Sequence, residues 1–114
     1  MFGLNEDFIE SYQSLDVRFI KNKASTFFFE FDGDSMEPTI LKGDILLVDR
    51  SIELFDRRVC VVCYEGHLVC KRVFMKSEAV VLCSDNVKYE DVVIQNSENI
   101  EIWGVVISRH GEVI

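Results

Sequence analysis

Two apolar runs separated by two residues, Val59 to Tyr64 (Val-Cys-Val-Val-Cys-Tyr) and His67 to Phe74 (His-Leu-Val-Cys-Lys-Arg-Val-Phe), constrain most strongly how this chain can fold. Both are rich in β-branched and aromatic side chains, and Glu65-Gly66 between them is a break of the length and kind that a tight turn needs. They predict a β-hairpin. With Glu65 and Gly66 as the central turn residues, Tyr64 faces His67, Val62 faces Val69 and Cys60 faces Lys71. Side chains alternate between the faces of a strand, so His67, Val69, Lys71 and Val73 share one face and Arg72 points the other way. Lys71 is then walled by Val69 and Val73 beside it and by Cys60 and Val62 across from it. Such a wall strips water from an ammonium and makes its charge costly, the condition under which a lysine amine can act as a base.

A base implies a nucleophile to serve. Thr26 to Phe31 (Thr-Phe-Phe-Phe-Glu-Phe) reads as a strand, Asp32-Gly33-Asp34 ends it, and Ser35 follows directly. Gly33 lets backbone groups approach closely, and a serine just beyond a strand can present its hydroxyl. A serine is a poor nucleophile until a base removes its proton, and Ser-Lys pairs are a known variant of the triad. The Ser35 amide is a candidate oxyanion donor. Asp34 suits the ordering of the loop better than chemistry, and Met36 fits either packing or a substrate pocket.

From Thr26 onward the pattern is of short strands broken by turns, at about 26–31, 45–49, 58–64, 67–75, 79–83, 91–94 and 100–108. This predicts an all-β domain over 26–114, a curled and partly closed barrel. Residues 1–25 form an amino-terminal arm, of which 5–22 is the least strand-like part. There Phe8, Tyr12, Leu15 and Phe19 recur at helical spacing, and Ser14 can cap a short helix through Lys21; an irregular arm laid over the barrel is the alternative. The lone proline, Pro38, falls in the loop after Ser35, where its missing N–H is tolerated.

At Gly33-Asp34-Ser35-Met36 and at Lys71 the chain resembles the LexA/UmuD family of self-cleaving Ser-Lys peptidases, and within it the UmuD branch of SOS mutagenesis accessory proteins more than the repressors. The likeness runs from about Phe8 to Ile107, through Ala24-Ser25-Thr26-Phe27-Phe28, Gly43-Asp44-Ile45-Leu46-Leu47-Val48-Asp49 and Ile102-Trp103-Gly104-Val105-Val106-Ile107. It implies Ser35 as nucleophile and Lys71 as general base, the roles that the residues suggest by themselves. It implies a homodimer paired partly through Ile102 to Ile107, although that run is as good a core strand, and Trp103 suits either role. It further implies cleavage promoted by a RecA filament and service to a Y-family DNA polymerase, or, alternatively, the dimerisation domain of a LexA-like or prophage repressor. Relatives cut themselves at Ala-Gly or Cys-Gly ahead of the serine; no such dipeptide occurs here, and Phe2-Gly3 is too bulky to replace it. The expectation is a member already lacking its cleavable arm.

Charge and length narrow the options. A net charge of −8 opposes direct nucleic-acid binding, and Arg18, Lys21 and Lys23 form too small a basic cluster to reverse it. At 114 residues one domain is expected, with no room for a DNA-binding headpiece. No apolar run approaches the roughly 20 residues that span a bilayer, so a soluble, cytoplasmic protein is expected. Cys60 and Cys63 have CxxC spacing, yet residues three apart in a strand face opposite sides, so Cys60, Cys63, Cys70 and Cys83 are expected as free thiols without a metal or other cofactor. His67 stands beside the turn and His110 near the terminus, and the sequence around neither suggests catalysis.

Overall fold

The computed structural model describes residues 9–13, 25–95 and 100–111. They form one antiparallel sheet of eight strands: β1 (Ile9–Gln13), β2 (Thr26–Phe31), β3 (Ile45–Asp49), β4 (Val59–Tyr64), β5 (His67–Met75), β6 (Ala79–Cys83), β7 (Val92–Gln95) and β8 (Ile100–His110). Their spatial order is β1-β2-β3-β8-β4-β5-β6-β7. The all-β expectation holds, with strand ends displaced by one or two residues. β1 also approaches β5, although four strands lie between them in the sheet, so the sheet is curled rather than flat.

The β4–β5 hairpin has the register that its two-residue turn requires: Tyr64 pairs with His67, Val62 with Val69 and Cys60 with Lys71. Glu65 and Gly66 both take positive φ, +51° and +84°, the combination whose twist matches the flanking strands. β8 supplies much of the curl. Gly104 and Ile102 pair with the adjacent Val61 and Val62, leaving Trp103 as an extra residue, and Ser108 and Val106 pair with the adjacent Leu47 and Val48, leaving out Ile107. Such bulges bend a strand and tighten its twist. The bend brings Gly104 so close to β3 that a Cβ there would lie 2.7 Å from Val48 Cγ1, which reserves the position for glycine.

Both faces of the central strands are covered, so Val59 to Val62 are buried in succession. One face packs Phe29, Phe31, Met36, Ile40, Leu46, Val48, Val61 and Cys70; the other packs Cys60, Val62, Val69, Val73, Val80, Leu82 and Val105. Trp103 is half-buried against the rings of Phe27 and Phe29, and the Arg50 guanidinium lies over it, 4.2 Å from the ring centre. Asp44, buried at the start of β3, accepts hydrogen bonds from the Leu41 amide and from Arg109 near the end of β8.

β1 corrects the reading of the amino-terminal segment. Ile9–Gln13 lies in the stretch whose spacing looks helical, yet it is a strand paired with β2, from Ile9 opposite Phe31 to Gln13 opposite Phe28. The edge of β2 offers a row of backbone partners, and that tertiary gain outweighs a weak local helical preference. The helix expected from Ser14 through Lys21, and the cluster of Arg18, Lys21 and Lys23, lie outside the described residues.

Candidate active site

Lys71 lies mid-strand in β5 and is 3 % exposed. Val69, Val73, Cys60 and Val62 around it are all fully buried, as the hairpin register requires. Its Nζ donates to Ser84 Oγ at 2.6 Å and stands 5.8 Å from the centre of the Tyr89 ring. The amine end of the side chain thus reaches the Ser84 hydroxyl just beyond β6 and the face of the Tyr89 ring.

The Ser35 loop is built just as tightly. Gly33 takes a φ of +154°, a conformation that a side chain would strain. The chain then turns through Ser35 and Met36, with the Glu37 amide donating to the Asp34 carbonyl and the Ile40 amide to the Met36 carbonyl. Met36 is fully buried in the core, and its Sδ accepts from the Asp85 amide at 3.5 Å. Asp34 accepts a hydrogen bond from the Tyr89 hydroxyl. Ser35 is also fully buried, and among the described residues its Oγ is the one buried side-chain oxygen or nitrogen without a hydrogen-bond partner.

Residues 84–89 tie the two parts together. Ser84 holds Lys71, while the Asn86 amide donates to the Ser35 carbonyl and Asn86 Nδ2 to the Asp34 carbonyl, both at 2.9 Å. Between them Asp85 takes a two-point bond from Arg72, Nε and Nη2 each at 2.9 Å, and a further bond from the Thr39 hydroxyl. The Arg72 fork, with help from Thr39, holds the Asp85 carboxyl below its usual range against the opposing effect of burial. Asp34, Ser35, Met36 and Lys71 thus all bond to one segment, and Gly33 lies beside Asp34 in the loop. In this arrangement Lys71 Nζ bonds Ser84, and Ser35 Oγ is not hydrogen-bonded to it.

The segment 84–89 is the part that the sequence reading missed. Its signal was the β5–β6 pairing: Met75 faces Val80 and Arg72 faces Cys83, so one further step sets Ser84 across from Lys71. The turn between β5 and β6 carries no residue pair that announces this register.

Of the cysteines, Cys60 lies in one core cluster and Cys70 in the other, and none of the four is in a disulfide. Burial pushes the Cys60 thiol up to about 12 despite the nearby Arg58 and Arg72 guanidinia. Burial and a bond to Asp91 push Cys83 to about 11. Among the described residues no three His, Cys, Asp or Glu side chains are grouped to hold a metal, and no helix is long and apolar enough to cross a membrane.

Residues 2–107 match a family model described as Peptidase S24-like. MucA of Salmonella typhimurium is 28 % identical over 88 residues, covering 76 % of this chain and 60 % of MucA. The LexA repressor of Geobacter sp. (strain M21) is 31 % identical over 92 residues, 79 % of this chain and 46 % of the repressor. That of Shewanella sediminis is 28 % identical over 113 residues, 96 % of this chain and 54 % of the repressor. The chain thus spans about half to three-fifths of the length of these relatives. Since the family match takes in the hairpin, the serine loop and the segment that joins them, this chain belongs to the Peptidase S24-like family.

Proposed function

We propose that this chain is a serine peptidase of the LexA/UmuD type in which Ser35 is the nucleophile and Lys71 the general base. The observation that carries the reading is the buried Ser35 hydroxyl, without a protein partner, in a loop tied to the strand that buries Lys71. Leaving a hydroxyl in that state costs about 1–3 kcal/mol, and buried orphans of this kind call for a functional explanation. The neutral Lys71 amine accepts the Ser35 proton as Oγ bonds to the scissile carbonyl carbon. It returns that proton to the leaving amine as the carbon–nitrogen bond breaks. Backbone amides of the loop, that of Ser35 first, receive the oxyanion, with Gly33 and Asp34 shaping the loop and Met36 anchoring it.

The biological reaction, by resemblance, is removal of an amino-terminal arm, its own or a partner's, promoted by a RecA filament. The product serves as a homodimeric accessory to a Y-family DNA polymerase. The comparable identity of the LexA repressors over the same region supports a second reading, the self-cleaving and dimerising domain of a repressor. Both readings share the chemistry and are tested together by giving the chain an arm-bearing substrate with an Ala-Gly bond. Ser35→Ala and Lys71→Ala should each abolish cleavage with the fold intact; cleavage persisting in either variant rejects the assignment. Co-purification with a Y-family polymerase then favours the first reading, and a helix-turn-helix encoded upstream in the same gene favours the second.

A further inference from the structure

We infer that Ser84 is a positioning residue for the lysine base, an inference that rests on the Ser35–Lys71 reading above. A lysine amine sits on a flexible four-carbon stem, and a general base works only when its lone pair lies within hydrogen-bond reach of the proton it removes. The valine wall buries the stem of Lys71 but cannot orient the amine, because apolar contacts have no direction. Ser84 can: its Oγ takes an N–H from Lys71 Nζ at 2.6 Å. A neutral amine has two N–H bonds and one lone pair, so fixing one N–H leaves the lone pair two tetrahedral positions in place of free rotation about the Cε–Nζ bond.

Ser84 is itself held from both sides. On one side β6 is paired with β5 as far as Cys83 opposite Arg72. On the other, Asp85 is gripped by Arg72 and Thr39, and Asn86 donates to the Ser35 and Asp34 carbonyls. The residues that locate Ser84 thus also locate the nucleophile loop, so the amine is oriented in the frame of the serine it serves. Ser84 need not touch the substrate; it acts through Lys71.

The test compares Ser84→Ala and Ser84→Thr with the parent chain, using a synthetic peptide that carries an Ala-Gly bond and, separately, NMR of the lysine side chains. Ser84→Ala should lower kcat by about 10- to 100-fold, a share of the 10²–10⁴ that a placed acid–base group supplies, with KM unchanged and the chain still folded. Ser84→Thr keeps the hydroxyl and should stay within a few-fold of the parent. The order parameter of the Lys71 Cε should fall in Ser84→Ala and persist in Ser84→Thr. Parental kcat in Ser84→Ala, equal losses in both variants, or an unchanged Lys71 order parameter would overturn the role of Ser84. Failure of the parent to cut the peptide, or cutting by Ser35→Ala, counts instead against the peptidase reading, and the NMR comparison still decides Ser84.

Discussion

Ser35 holds a hydroxyl that the fold seals away from water without supplying a protein partner. An alanine there removes the unpaired oxygen and leaves the loop contacts, which are made by backbone groups and by neighbouring side chains. Ser35→Ala should therefore be more stable than the parent by about 1 kcal/mol, the lower end of what an unsatisfied hydroxyl costs, while losing cleavage. Chemical denaturation of both chains checks this, and a clear loss of stability would mean that the hydroxyl is satisfied in solution. Cys60 poses the opposite case, a reactive group type made inert. With its thiol pushed to about 12, almost none is thiolate at neutral pH, and thiolate is the species that reacts. Iodoacetamide at pH 8 should leave Cys60 unmodified in the native chain and alkylate it fully once the chain is unfolded. Mass spectrometry of the Cys60 peptide reads the difference, and native labelling at the rate of a free thiol would contradict the packing around it.

Among the elements, the segment 84–89 joins a hairpin and a loop that do not otherwise share a strand. Its central bond, Arg72 to Asp85, is only partly exposed, with side-chain exposures of 30 % and 14 %. Because the folded Asp85 carboxyl lies below its unfolded value, its contribution to stability is fully present above the unfolded value of about 3.9 and disappears as pH falls through the lower folded value. Asp85→Asn should thus cost about 1.5–3 kcal/mol at pH 7, the range for hydrogen bonds to charged groups, and progressively less below pH 4. Urea titrations of both chains across that range would show the gap closing. A gap independent of pH would assign the loss to packing rather than to the ion pair.

For the whole molecule, charge has more to say than shape. With Asp and Glu numbering 20 against 12 Lys and Arg, the net charge opposes the counterion release that drives nonspecific DNA binding. An electrophoretic shift assay with duplex DNA at about 0.15 M salt should show no complex at micromolar protein. A salt-sensitive complex would point to a concentrated basic surface that the net charge conceals.

The sequence by itself determined the strands from β2 to β8, the turn at Glu65-Gly66 and the register that walls in Lys71, because each follows from side-chain alternation over neighbouring residues. It also marked Ser35 by the strand and glycine that precede it. Only the tertiary structure decided that Ile9–Gln13 joins the sheet, that Asp44 meets Arg109 and that Ser84 meets Lys71. Those contacts depend on which strand lies beside which, and on how far the bulges at Trp103 and Ile107 curl the sheet. Local periodicity says which way a side chain points within its own strand. It does not say which distant residue it will meet, since that is settled by the combined burial of both faces of the sheet.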